Sequence, residues 1–523
     1  MMNEYKQILE KVNSLQITEN GAVGFSTSGH LLVDLNFTVP SNHSNINQNS
    51  IQKFCKSLDE DPVTTVKWMF YLRDIREGLG ERDSFDSLFL TLYCYNQEAA
   101  LKVLPLIPEF GRWKDVIDLL GVVSDETPLA KSILKMIDSQ FKDDCINWVQ
   151  GKSVSLLAKW LPSINASDKA RALAKRITLY LGVNYREYRK VLSALRKYID
   201  VTEVKTCGNK WGEIDYNKVS SNANARYVQA FMRHDAERRT QYLEDLKKPS
   251  DTGAVMHATN LYPHEVYAKY RQKSSWNTKV QEDAGIEALW ANLKDIESTE
   301  NTMVVVDGSG SMTQRINGSS IQAIDVSRAL GVFFSERATG EYKDKVIEFS
   351  ARPRYIDLSG CKSLADKYNV LDKYDDCSNT DIEAVFDLLL ETAIVNQIPQ
   401  SELPKRILIV SDMEFDEATQ ITAYWGNHNN VMSKYQTLFE KIKERWARAG
   451  YLMPKLVFWN VNSRTNTIPL TENEAGVTLV SGFSVNNIKM VISGQMDPWL
   501  ALKEVLDSPR YDIIEKTLQN KAN

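Results

Sequence analysis

The hydrophobic pattern changes period near Asn301, and that change restricts the fold more than any other feature of the chain. Met303 to Val306, Val346 to Phe349, Ile407 to Val410, Lys455 to Trp459 and Val477 to Val480 are short, mostly apolar runs. Runs of this length and composition suit strands buried on both faces of a parallel sheet. Between them, Ser319 to Arg337, Asp381 to Ala393 and Met432 to Ala449 carry helical spacing. The alternation predicts a doubly wound, mostly parallel α/β fold over 301–523, in which ligands bind outside the carboxyl ends of the strands.

Upstream the pattern is different. From Asp61 to Leu246 apolar residues recur three and four apart, as in Val63, Val66, Met69 and Phe70. The expected helices run 62–77, 84–104, 110–121, 127–141, 143–161, 167–182, 184–200 and 222–246. Ser167 before Asp168 is an N-cap, and Gly78 and Gly182 are stops. Such a series predicts an α domain at 61–246, a helical solenoid or ring. Residues 247–300 read as a helical bridge containing a helix at 283–296. Residues 1–60 read as an appendage, with a strand or hairpin in the alternating stretch Ala22 to Val39 and a polar loop at 41–50.

Composition narrows the function classes. Hydrophobic residues make up 43% and charged residues 25% of 523 residues, the balance of globular domains. There is no apolar stretch near the roughly 20 residues that span a bilayer and no signal pattern at Met1 to Glu4, so the expectation is a cytoplasmic protein without a membrane partner. The six cysteines lack a paired spacing and the six histidines are dispersed, which predicts reduced thiols and no zinc cluster. Net charge is -5, yet residues 151–240 hold 18 Lys and Arg against 8 Asp and Glu, while 301–523 hold 24 against 29. The positive charge is concentrated in the helical region.

The run Met303-Val304-Val305-Val306-Asp307-Gly308-Ser309-Gly310-Ser311 puts a carboxylate at the end of a buried strand and two hydroxyls on the following loop. These are the hard oxygen donors that Mg²⁺ prefers. Thr380 precedes a helix, and Asp412 ends the strand Ile407 to Val410. The three segments resemble the metal-ion-dependent adhesion site of von Willebrand A domains. The resemblance implies that Ser309, Ser311 and Thr380 ligate Mg²⁺ or Mn²⁺ directly, that Asp307 and Asp412 act partly through water, and that a partner carboxylate fills an open position. Ser378 stands where that family often has glycine. Enzyme signatures are missing: no G-x-S-x-G, no second aspartate two residues after Asp307, and no Gly-Lys-Ser/Thr loop.

In the helical region, Phe70 to Arg82 with its Gly78-x-Gly80 turn, Phe110 to Asp115, and Tyr185 to Ser193 resemble the TROVE module of Ro autoantigen proteins. With the domain order, they resemble more closely an uncharacterised family of plant, viral and bacterial proteins joining a TROVE-like helical region to a von Willebrand A domain. That resemblance implies HEAT-like repeats and binding of structured or misfolded RNA. Helical geometry independently places Arg186, Arg189, Lys190, Ser193, Arg196 and Lys197 within about 120° of one face, opposite Tyr188, Val191, Leu192, Leu195 and Ile199. Arg171, Lys175 and Arg176 extend the cationic stripe, and Arg112 and Lys114 mark a second polar turn. Arg73, Arg76 and Arg82 are as well explained by pairing with Asp74, Glu77, Glu81 and Asp83 as by phosphate contacts, and Trp113, Trp160 and Trp211 read as core residues. The expectation is a non-catalytic protein that binds RNA through its helices and a protein through its cation site. The alternative is an interaction scaffold that binds no RNA.

Overall fold

A computed structural model describes residues 15–17, 23–40, 46–274, 278–296, 301–316, 321–350, 352–374, 382–412, 442–462, 477–487, 490 and 497–520. Contacts divide the chain into two units, Met1–Glu60 with Ala258–Ser508, and Asp61–His257 with Pro509–Asn523. The chain thus has a helix-rich region followed by an α/β region, but each draws on sequence beyond the expected boundaries. The first sixty residues group with the sheet, and the segment after Ser508 groups with the helices.

The α/β unit holds a short antiparallel hairpin, β1 (Leu15–Ile17) and β2 (Val23–Phe25), and a six-stranded sheet. The sheet strands are β3 (Thr302–Asp307), β4 (Lys345–Phe349), β5 (Arg354–Asp357), β6 (Arg406–Ser411), β7 (Lys455–Asn460) and β8 (Val477–Ser481). Their order is β5-β4-β3-β6-β7-β8, all parallel except β5 against β4. The chain steps outward from β3 through β4 to β5, then returns to β6 on the other side. The crevice between the carboxyl ends of β3 and β6 is therefore the topological switch point, where open α/β sheets bind ligands.

The five expected strands form with boundaries shifted by at most one residue. β5 escaped the sequence reading because it is an edge strand of which only Ile356 is buried, so it has no apolar run. One face of the sheet, with Val305, Ile347, Ile409 and Phe458, packs on Val385, Phe386, Leu390 and Trp446 in a single core. That core also takes Phe37. Residues 31–38, expected to be extended, form the helix Leu31–Thr38, whose residues from Leu32 onward are all buried. A helix covered on every side shows no apolar stripe, so its period is hidden.

On the sheet's other face, the helix Ala323–Arg337 lies close against β3. A Cβ on its Gly331 would stand 2.2 Å from Val306 Cγ1, so only glycine permits the approach. The contact brings Ser327 of that helix up to the end of β3, at the switch point.

In the helical unit the cap at Ser167 forms, its hydroxyl accepting from Ala170 N–H at 3.4 Å, and the helix ends at Gly182 with φ +65. Residues 127–141 and 143–161 are not two helices. Pro128–Val149 is continuous because nothing between Phe141 and Asp143 breaks it, and Gly151 at φ +69 follows its end. The stretches 84–104 and 222–246 are each divided in two, at Asn96 and Asp235. Asn96 accepts from Ala99 N–H and so starts a new helix. No described helix is long and apolar enough to cross a membrane.

Candidate functional site

Asp307 is the last residue of β3 and is 1% exposed. Its Oδ1 accepts from Ser309 N–H at 2.9 Å, a turn that folds the loop back over the strand end. The hydroxyls of Ser309 and Ser311 are hydrogen-bonded 3.0 Å apart. Asp412 directly follows Ser411 at the end of the neighbouring strand β6 and is equally buried. Thr380 and Ser378 lie outside the described residues.

The donor chemistry of this loop fits a hard cation. It consists of carboxylate and hydroxyl oxygens on a short turn, the set that suits Mg²⁺ or Mn²⁺ more than zinc. Among the described residues no three His, Cys, Asp or Glu side chains come together to hold a metal. Ser309, Ser311 and Asp307 are the described residues that would hold such an ion.

The second site is in the helical unit, on the helix Tyr185–Tyr198. Asn184 caps it, accepting from the N–H groups of Arg186 and Glu187, while Glu187 turns its carboxylate back to Asn184 N–H. The acidic residue of the stretch is thereby used on the backbone. Tyr188, Leu192 and Leu195 are buried, and Tyr188 hydroxyl donates to Pro162 C=O at 2.9 Å. The opposite side borders a groove of about 650 Å³. Arg186, Arg189, Lys190, Ser193 and Arg196 line it on the helix side, Ser163 to Asn165 and Val204 on the other, and no lining residue is acidic.

Not every cation of the expected stripe is left to the groove. Arg196 donates to the C=O groups of Ala158 and Leu161 and to Ser163 Oγ, and burial draws its guanidinium below its ordinary pKa. It fastens the 158–163 segment. Arg176 does the same for 120–125, reaching Leu120 C=O, Val123 C=O and Asp125. Lys114 pairs with Asp118, and Arg171 with Asp168 and Ile164 C=O. Arg112 N–H donates to Asp115 at the start of a helix. Lys175 and Lys197 are exposed. A helical wheel shows which side a cation is on, but not which loop folds over it.

The charged turn at Arg73 to Arg82 is structural: Arg82 lies 3.8 Å from Asp83, as expected, and further partners come from outside the turn. Buried Arg73 donates from Nε and Nη2 to Asp115 Oδ2 at 2.9 and 2.6 Å. Arg76 reaches Glu109 C=O, and Arg82 reaches Asp118 at 3.1 Å. Asp74 accepts from Arg510 and from Tyr511 hydroxyl. Gly111 makes room, since a Cβ there would meet Asp115 Oδ2 at 2.3 Å. Asp86, beside this network, is raised to about 7 by burial first and by the Asp115 carboxylate second, with Arg82 and Arg73 opposing. Of the tryptophans, Trp113 is buried, and Trp211 is half-buried against His234 at 4.5 Å between ring centres.

Sequence reasoning gave no role to Ser327, Ser163, Asn165 or Val204. Each is set beside its site by a chain segment distant in sequence, and no local pattern announces that.

The family models divide the chain near residue 300, where the sequence pattern changes, rather than at the bounds of the two contact units. The family model described as Domain of unknown function (DUF2828) matches residues 18–147 and 129–298, and that described as Domain of unknown function (DUF7788) matches 301–511. The first covers more than half of the chain, and the chain belongs to that DUF2828 family. Uncharacterized protein L728 of Acanthamoeba polyphaga mimivirus is 28% identical over 531 residues, spanning 94% of this chain and 87% of that protein.

Proposed function

We propose that this chain is a non-catalytic, Ro-like RNA-binding protein that carries a von Willebrand A type docking module. The helical unit holds RNA along the groove beside Arg186, Arg189 and Lys190. The α/β unit holds Mg²⁺ or Mn²⁺ at Asp307, Ser309, Ser311, Thr380 and Asp412 and recruits a protein that offers a carboxylate to the ion.

The observation that carries the reading is the groove itself. Three cations whose side chains make no ion pair or hydrogen bond among the described residues border about 650 Å³ of open space lined by no carboxylate. Such a surface attracts phosphates and gains entropy from the counterions they release. The cation half is supported by the oxygen-rich loop at the switch point between β3 and β6. A protein scaffold that meets an acidic partner through the same groove is the rival reading.

Filter binding of the full chain to structured RNA separates the two. The expected result is binding whose logarithmic affinity falls linearly with the logarithm of salt concentration. No detectable binding at low salt overturns the RNA reading. For the cation, Mg²⁺ should raise the unfolding temperature of the wild type by mass action. Asp307→Ala and Asp412→Ala should abolish that rise, and an equal response in all three proteins refutes the assignment.

A further inference from the structure

Two serine hydroxyls converge on Asp307 from different elements. Ser411, the last residue of β6 and 1% exposed, donates to Asp307 Oδ2 at 2.5 Å. Ser327, fully buried in the helix Ala323–Arg337, accepts from Asp307 N–H at 3.1 Å and donates to Val410 C=O at 2.8 Å. The β3–β6 ladder has its last paired residues at Val306 and Val410. Ser327 therefore stitches the two strand ends together just where their own pairing stops.

We infer that Ser411 is the positioning residue of the cation site, turning the Asp307 carboxylate to the angle an ion or its bound water needs, with Ser327 fixing the backbone beneath it. The inference rests on the cation reading proposed above. Rotation of an aspartate carboxylate about its terminal bond is soft and roughly two-fold, so the rotamer alone does not hold it. Here Oδ1 is held by Ser309 N–H and Oδ2 by the Ser411 hydroxyl. The two donors come from different strands' ends and lock the plane between them.

Alanine at 411 removes the donor to Oδ2 from a buried carboxylate, which then turns towards another donor or becomes mobile. Folding, not ion binding, supplies the order in the native protein. Losing a hydrogen-bonding partner of a metal-binding group typically weakens metal affinity about 10–100-fold.

A contact that served folding alone would give a different result. Its loss would lower the unfolding temperature and leave the ion affinity of the folded protein unchanged. Titration of the full chain with Mn²⁺, followed by the electron paramagnetic resonance of the free ion well below the unfolding temperature, separates the cases. We expect wild type to bind, Asp307→Ala not to bind, Ser411→Ala to bind about 10–100-fold more weakly, and Ser411→Thr to return close to wild type. Ser411→Ala binding as tightly as wild type overturns the inference and leaves the cation reading standing. A wild type that binds no Mn²⁺ overturns both. Should Ser411→Ala fail to fold, the nearly isosteric pair Ser411→Thr and Ser411→Val decides. Weaker binding by the valine variant alone supports the positioning role, and equal binding by the two refutes it.

Discussion

Two sets of cations in the helical unit look alike in the sequence and differ in what the fold places opposite them. Arg73, Arg82 and Lys114 meet Asp115 and Asp118 at 2.6 to 3.1 Å. Arg186, Arg189 and Lys190 meet a groove with no acidic lining, and the one carboxylate in their turn, Glu187, is spent on the N-cap. The first set has its counter-charges inside the protein. The second has to take them from outside, from small ions or from a polyanion. Net charge over a window therefore says less about ligands than where the nearby carboxylates are folded.

The most severe test of that contrast breaks the internal set. Arg73→Met leaves Asp115 as a buried carboxylate without its guanidinium, a change that typically costs about 3–5 kcal/mol. Denaturant unfolding should show a loss of that size, while the remaining folded protein keeps its RNA affinity. Unchanged stability would mean that the Arg73–Asp115 pair is not the brace described here.

Next in size is the open set. Arg186→Ala, Arg189→Ala and Lys190→Ala together should lower RNA affinity on the order of 100-fold near 0.1 M salt and reduce the salt slope by about 2 to 3. The stability of the protein should barely change, because exposed charges contribute little. Lys114→Ala serves as the control, with affinity and slope both retained. If Lys114→Ala matches the triple variant, the two sets are not distinct in function.

The smallest effect concerns Asp86, which lies between carboxylates and guanidiniums of the internal set. Its folded pKa of about 7 lies above the ordinary aspartate value of roughly 4. A carboxyl held higher in the folded state contributes stability that is complete below about pH 4 and is lost as pH rises through about 7. Asp86→Asn should thus unfold a few degrees higher than wild type at pH 8, and the gap should close at pH 4. A gap that is constant across this range would show that Asp86 ionises normally.

The same contrast explains what could be read from the residues alone. The strands of the parallel sheet were legible because burial on both faces leaves continuous apolar runs, and for the same reason the loop of Asp307, Ser309 and Ser311 stands where that pattern put it, at the carboxyl end of β3. The helix Leu31–Thr38 was not, since complete burial erases its amphipathic stripe. The edge strand β5 was not, since it buries only Ile356. Arg176 and Arg196 read as ligand-facing because their acceptors, the carbonyls of 120–123 and 158–161, belong to turns whose position no periodicity reveals. The Ser411 and Ser327 contacts depend on the register of β3 with β6, which exists only once the sheet is assembled.

The ion pair between Asp74 and Arg510 joins residues 436 positions apart, and the whole α/β sheet is encoded between them. Closing so long an interval carries a loop entropy that grows only slowly with length, but contacts of such separation slow the search for the native state. During synthesis the Asp74 carboxylate has no Arg510 or Tyr511 to meet until those residues have been made. A fragment cut at the start of β3 lacks the residues that finish the helical unit, so limited proteolysis between the units should release neither in its native form.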